Sequence, residues 1–196
     1  MDQITGLKQV LDFITVDEEK TLLEKINNNQ WDTTLKRRTQ QYGHRYQYTK
    51  GTKGTKDTKD TKDTNTQSNN PAEVPEYLYE LFLKCHQDIK DPSLLQVIIN
   101  EYLPGQGIAD HIDDPKKFTN WVITISLGSN CIMNFKSNKT IECIIPLFLN
   151  RRSMYLMKDD ARYVWTHGIP PRKSDTHLGT KHMRGIRISI TFREML

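Results

Sequence analysis

The chain has 196 residues, 36% hydrophobic and 27% charged, with a formal net charge of +4: the size and balance of one globular domain, or of one domain carrying a disordered insert. No run approaches the ~18–20 apolar residues of a membrane-spanning helix, and Met1-Asp2-Gln3-Ile4 opens no charged-then-apolar leader, so an intracellular protein of cytoplasm or nucleus, without membrane contact, is expected. Cys85, Cys131 and Cys143 are odd in number and form no CxxC pair, which argues against a disulfide framework or a cysteine zinc site.

Leu7 to Phe13 reads as a short strand. Thr15-Val16-Asp17-Glu18 follows, and Thr15 with Glu18 fits a capping box, in which each side chain serves the other residue's backbone N–H. Leu22, Leu23 and Ile26 then supply the apolar stripe of a helix running to about Asn28. Next, Lys36-Arg37-Arg38 precedes Tyr42, His44, Arg45, Tyr46 and Tyr48. Cations interleaved with aromatics suit phosphate contact and base stacking; a solvated loop accounts for them equally.

From Lys50 to Asn70 the chain reads KGTKGTKDTKDTKDTNTQSNN, with five lysines, three aspartates and no apolar side chain. Such a tract cannot bury surface to offset its ordering entropy, so residues of about 50–70 are expected to form a disordered insert in a single domain spanning 1–196. The tract carries half of the net charge and leaves the remainder nearly neutral. Mild basicity permits a nucleic-acid partner without arguing for one, because counterion release needs a local stripe of Lys and Arg.

Beyond the tract, Pro75 opens a helical pattern, Tyr77, Leu78, Leu81, Phe82 and Cys85, closing near Asp91-Pro92. β-Rich runs follow around 95–103, 119–127, 131–135, 141–149, 153–158, 162–167 and 186–193, parted by Gly, Pro, Asn and Asp. Many short strands after a few helices imply a sandwich or jelly roll with helices on one side. Trp121 and Trp165 are expected in the core, and His86, His177 and His182 as solvated residues.

His111-Ile112-Asp113 places an imidazole and a carboxylate two residues apart, on one face of an extended backbone, so both can reach one metal ion while Asp114 faces the other way. A third candidate ligand is His167, in Trp165-Thr166-His167-Gly168-Ile169. Two histidines and a carboxylate leave coordination positions open, as non-haem Fe(II) oxygen chemistry requires; zinc accepts the same set, and incidental surface residues are the plain alternative. In the last run, period two puts Arg187, Ser189, Thr191 and Arg193 on one face and Ile188, Ile190 and Phe192 on the other. The polar face is either a solvent side or a pocket wall whose guanidinium forks hold the carboxylates of a dianionic co-substrate.

The ordered set Asn100 to Ile108 (NEYLPGQGI), His111-Ile112-Asp113, Ser126-Leu127-Gly128-Ser129, Arg151-Arg152-Ser153, Trp165 to Ile169 and Thr191-Phe192-Arg193 resembles AlkB-family Fe(II)/2-oxoglutarate dioxygenases. Within them it is most similar to the oxygenase domain of the tRNA wobble-uridine hydroxylase branch. The resemblance is close over 75–195, looser over 5–48 and absent from the Lys/Thr/Asp tract. It implies an α+β, mainly β chain, a double-stranded β-helix (jelly roll) with N-terminal supporting helices, that uses Fe(II), 2-oxoglutarate and O2.

By the same resemblance His111, Asp113 and His167 match the iron triad, and Asn100 and Tyr102 match positions that contact 2-oxoglutarate. Arg187 matches the arginine that meets the distal carboxylate, and Arg193 the one nearer the metal. The segment Gln41 to Tyr46 resembles the family's nucleotide-recognition lid, which makes Tyr42, His44, Arg45 and Tyr46 lid candidates. The implied activity is hydroxylation of a modified wobble uridine in tRNA by a monomer. Animal members of the branch append RNA-recognition and methyltransferase modules; this chain carries neither, which implies a separate tRNA methyltransferase as partner.

One departure bears on the substrate. Two residues after the metal aspartate, bacterial repair members carry an acidic residue that reads the alkylated base; here it is Pro115, whose side chain accepts no hydrogen bond. The alternatives are oxidative demethylation of alkylated DNA or RNA bases, and a catalytically inactive nucleic-acid-binding module, against which the complete triad and both arginines speak.

Overall fold

Thr15 caps the first helix reciprocally: Glu18 N–H donates to Thr15 Oγ1 at 3.1 Å and Thr15 N–H donates to a Glu18 carboxylate oxygen at 2.7 Å. In this computed structural model, which describes residues 4–44, 73–86, 91–137 and 143–196, β1 (Leu7–Val10) precedes that helix, α1 (Val16–Asn27), and β2 (Thr39–Gly43) and α2 (Glu76–Cys85) follow it. Next come β3 (Leu95–Tyr102), β4 (Ile108–His111), β5 (Phe118–Gly128), β6 (Cys131–Ser137), β7 (Ile144–Leu149) and β8 (Ser153–Met157). A short α3 (Asp159–Tyr163), β9 (Trp165–Ile169), β10 (Ser174–His177), β11 (Thr180–Met183) and β12 (Arg187–Met195) complete the order. The tract at 50–70 lies outside the described residues. No helix among them is long and apolar enough to cross a membrane.

Every strand pairing is antiparallel. The strands form a six-stranded sheet, β1-β8-β5-β12-β3-β2, a four-stranded sheet, β4-β9-β6-β7, and the hairpin β10-β11. The two larger sheets build the jelly roll, with α1 and α2 on the outer face of the six-stranded sheet.

Alternation decides which residues meet. Ile188, Ile190 and Phe192 join Val97, Ile99, Ile123 and Ile125 in the core that Leu22, Ile26, Leu78 and Phe82 close from the helices. Phe82 stacks on Trp121 at 5.7 Å and tilts against Phe192 at 5.5 Å. The polar face of β12 is no solvent side: Arg187, Ser189 and Arg193 are 3%, 4% and 7% exposed, inside the jelly roll. Glu19, 1% exposed, fastens α1 to the far end of β5 by accepting from Gly128 N–H at 2.8 Å and Arg151 Nη2 at 2.5 Å.

Several sequence boundaries shift for local reasons. β1 stops at Val10, where Asp12 turns to φ 46°. α2 ends at Cys85, because His86 is already extended. The run read as a strand over 162–167 begins with α3 instead, which buries Ala161 and Arg162 together. β2, β4 and the hairpin β10-β11 had no strong alternating signal; their partners supply the pairing.

Replacing Phe82 by Ala should lower unfolding free energy by about 3–5 kcal/mol in urea titration, whereas Leu178→Ala, at a site 91% exposed, should stay within about 0.5 kcal/mol.

Candidate active site

Cross-strand register lays a polar floor on the inner face of the six-stranded sheet. One row runs Ser153, Ser126, Ser189, Asn100 and Thr39. The next runs Tyr155, Thr124, Thr191, Ile98 and Gln41, with the Thr124 and Thr191 hydroxyls 3.1 Å apart. Arg187 pairs with Tyr102 on one side of these rows, and Arg193 with Gln96 on the other. Residues opposite one another share a face in an antiparallel ladder, so this set follows from strand pairing alone.

The opposing sheet supplies the candidate ligand set. His111 on β4 faces His167 on β9 in register, with ring centroids 4.4 Å apart. Asp113 follows β4 directly, and one donor atom each from His111, Asp113 and His167 lie within 4.8 Å of one another. His111 Nδ1 is 2.9 Å from the Ala109 carbonyl; donating there fixes the ring and leaves Nε2 as the ligand atom. Asp114 is not part of the set: its carboxylate accepts from Lys116 N–H at 2.9 Å and shapes the turn.

Two buried arginines hold Asp113. Arg193 Nη1 donates to its carboxylate at 2.5 Å while Arg193 Nε donates to Gln96 at 2.8 Å. Arg162, 2% exposed, donates to the backbone carbonyls of Asp113 at 2.5 Å and of Asp114, Phe118 and Thr119 at 3.3–3.4 Å. Sequence reading missed Arg162; only its place in α3 reveals that it shapes the loop carrying Asp113.

Burial alone would push the Asp113 carboxyl up, but Arg193, then His167, His111 and Arg162, outweigh it and hold it at about 2. Burial also pushes the His167 imidazole down to about 4, against the attraction of Asp113. The 3.5 Å His167–Asp113 contact is therefore, at neutral pH, one between a neutral imidazole and a carboxylate, the protonation states in which both bind metal. Two imidazoles and one carboxylate, without a thiolate, suit Fe(II) with open positions.

At the other end, Arg187 Nε donates to Ser126 Oγ at 3.0 Å, and its guanidinium lies 5.4 Å from the Tyr102 ring centroid. Its Nη2 is buried with no hydrogen-bond partner, costly for a cation unless an anion arrives to accept. Arg37, which the sequence offered only as part of a basic run, donates from Nε to Asn100 Oδ1 at 3.0 Å and sits 5.8 Å from the Tyr102 ring centroid. These groups and the triad line one cavity of about 90 Å³, walled also by Ile98, Ile108 and Ile169.

The lid candidates divide. Gln41 stands opposite Ile98 on the inner face of the sheet, whereas Tyr42 stands opposite Val97 and packs with the helices, donating to Gln40 Oε1 at 3.1 Å. Alternation turns Tyr42 away from the place a lid residue needs. His44, half-buried, follows β2 and ends the described segment; Arg45 and Tyr46 lie outside the described residues. The other histidines are not simply solvated: His86 packs 4.9 Å from Trp121, and His177 and His182 lie 4.3 and 5.0 Å from Phe148. Trp121 and Trp165 are buried in the core, as their size demands.

The model of the 2OG-Fe(II) oxygenase superfamily matches residues 6–193. The chain is 39% identical over 194 residues to uncharacterized protein L905 of Acanthamoeba polyphaga mimivirus, covering 98% of this chain and 86% of that protein. It is 35% identical over 180 residues to the tRNA (carboxymethyluridine(34)-5-O)-methyltransferase alkbh8 of Xenopus tropicalis, covering 87% of this chain but 26% of that protein. It is also 32% identical over 211 residues to the alkylated DNA repair protein ALKBH8 homolog of Arabidopsis thaliana, covering 98% of this chain and 59% of that protein. The solved structure of OsALKBH1 has the same fold, with a TM-score of 0.68 at 15% identity over 96% of this chain and 98% of that one.

The His167 imidazole titrates near 4 when folded and near ~6.5 when unfolded. Between those values the unfolded chain binds more protons, so stability falls as pH drops through that window. The urea midpoint of the metal-free protein should therefore decrease from pH 6.5 to 4, and His167→Asn should flatten that slope; an equal slope in both proteins would refute the burial effect.

Proposed function

The chain belongs to the 2OG-Fe(II) oxygenase superfamily, among its AlkB-type members, and from that premise we propose that it hydroxylates a modified wobble uridine of tRNA. It is an oxygenase of Fe(II), 2-oxoglutarate and O2. When bound, these supply oxidation of an unactivated C–H bond coupled to conversion of 2-oxoglutarate into succinate and CO2.

The observation that carries the reading is the buried, partnerless Nη2 of Arg187 in the cavity that holds the triad. His111, Asp113 and His167 would hold the iron. Arg187, beside Tyr102, would receive the distal carboxylate of 2-oxoglutarate by a charge-assisted hydrogen bond, and Asn100, oriented by Arg37, would line its path. Arg193 and Arg162 keep Asp113 ionised and fixed. Ile98, Ile108 and Ile169 give this end apolar walls, which strengthen each electrostatic contact within it.

Two features favour a wobble uridine as substrate. Relatives named for carboxymethyluridine-34 chemistry match at 34–35% identity over 87–97% of this chain, although it spans under a third of their length. Pro115, exposed just after the metal aspartate, offers no side-chain acceptor for the exocyclic amine of an alkylated adenine or cytosine. Hydroxylation on a carbon substituent of uridine C5 leaves a stable alcohol, whereas hydroxylation next to nitrogen releases the alkyl group. The partners on this reading are tRNA and a separate methyltransferase, met by a monomer.

Incubation with Fe(II), ascorbate, 2-oxoglutarate and tRNA containing methoxycarbonylmethyluridine should add one oxygen to that nucleoside by mass spectrometry. Loss of a methyl group from methylated single-stranded DNA run in parallel, with the uridine unchanged, would overturn the tRNA reading in favour of demethylation. Asp113→Ala should reduce succinate production to background. Arg187→Gln should raise KM for 2-oxoglutarate roughly 10- to 100-fold, the worth of one hydrogen bond to a charged group.

A further inference from the structure

Of the basic run Lys36-Arg37-Arg38, the cavity uses only Arg37. Arg38 is engaged elsewhere, donating to both carboxylate oxygens of Glu101 at 2.8 and 2.7 Å, with its guanidinium 4.3 Å from the Trp31 ring centroid. Lys36 is exposed and has no carboxylate partner among the described residues.

Its position is nevertheless fixed. The Lys36 carbonyl accepts from the Gln106 amide at 2.9 Å, and Gln106 Oε1 accepts from Leu103 N–H at 2.9 Å. That turn is tied on its other side to a second basic pair, Arg172-Lys173. Gly105 N–H donates to the Arg172 carbonyl at 3.2 Å. The Lys173 stem passes 3.8 Å from where a Cβ on Gly105 would stand, and Gly105 itself adopts φ 93°. The Lys173 carbonyl accepts from Arg184 N–H at 2.9 Å, which anchors the pair to the segment that follows β11.

The charge around these residues is unbalanced. Asp175 is shared: Arg184 contacts both of its oxygens at 2.6 and 2.8 Å, and Arg172 contacts one at 2.7 Å. One carboxylate thus faces two guanidinium groups, and exposed Lys173 has no ion-pair partner among the described residues. Three chain segments far apart in sequence are thus stapled together, and each carries its cations within a few residues of the cavity lining: Lys36 beside Arg37, the 103–106 turn between Tyr102 and Ile108, and Arg172-Lys173 just after Ile169.

We propose that Lys36, Arg172 and Lys173 form a seat for the phosphodiester groups of the nucleic-acid strand whose target base enters the cavity; this rests on the nucleic-acid reading above. Exposed cationic side chains on a fixed backbone offer donors to phosphate oxygens, and phosphate contacts supply affinity and register rather than base choice. Charges farther away than the Debye length of about 8 Å at physiological salt contribute little, which leaves the work to Lys36 and Lys173, with Arg172 adding the charge that Asp175, already shared with Arg184, does not balance.

The test is the salt dependence of tRNA binding to the full chain, with 2-oxoglutarate present, for the wild type and for Lys36→Gln/Arg172→Gln/Lys173→Gln. The slope of log K against log salt should shrink by roughly 2, at ~0.7–0.9 per lost phosphate contact. Substrate-free 2-oxoglutarate turnover should match the wild type, whereas the thermal midpoint is expected to stay unchanged only for Lys36→Gln/Lys173→Gln, which breaks no ion pair among the described residues. Lys36→Gln alone, which removes no ion pair, should shrink the slope by roughly 0.7 and serves if the triple variant fails to fold. Unchanged slopes beside a steep wild-type slope overturn the seat and leave the nucleic-acid reading standing. A wild type that binds tRNA without salt dependence, or not at all, overturns the seat, and absent binding removes the reading beneath it.

Discussion

The 2.5 Å contact between Arg193 and Asp113 joins a central strand of one sheet to the loop that leaves the other, with both partners buried. Removing two charges from water is expensive, and an ion pair compensates only when its remaining hydrogen-bonding groups are also met. Gln96 accepts from the second face of the Arg193 fork, and Arg162 gathers the carbonyls of the Asp113 loop. Losing either arginine would leave Asp113 a buried carboxylate with reduced support, or raise its affinity for a proton. The geometry of the candidate ligand set is thus a consequence of how the charges inside the jelly roll balance.

The opposite end of the same strand is left unbalanced. Arg187 has its Nε on Ser126 and its ring neighbour Tyr102, yet one guanidinium nitrogen without an acceptor. On the proposed reading, the contrast separates the tasks of two arginines of similar burial on one strand face. Arg193 is occupied by the protein itself and holds a ligand in place; Arg187 retains capacity for a carboxylate brought from outside. Arg37 links this end to the surface, because its contact with Asn100 continues into a chain segment that emerges at the rim.

The helix cap at Thr15, the apolar stripes of α1 and α2, and the alternation of β12 were legible because each is local: period and capping chemistry act within a few residues. The His111/Asp113 pair was legible for the same reason. Tyr42 shows the limit, since its aromatic character fitted a lid while the register of β2 against β3 turned it to the helices. Arg162 shows another, because a charged residue in an apolar run carries no local sign that it will be buried against four carbonyls.

By itself, the sequence determined the identity of the chemistry-bearing groups, the two faces of the last strand, and the motif order that resembles AlkB-family oxygenases. Tertiary structure alone decided that the polar face of β12 lies inside, that His167 meets His111 across β4 and β9, and that Arg187 keeps a free nitrogen. The reason is physical: alternation says which side chains share a face, but a second sheet must cover that face before it becomes a pocket. Only then does burial lower the His167 pKa, and only then does an unpaired guanidinium nitrogen become a site.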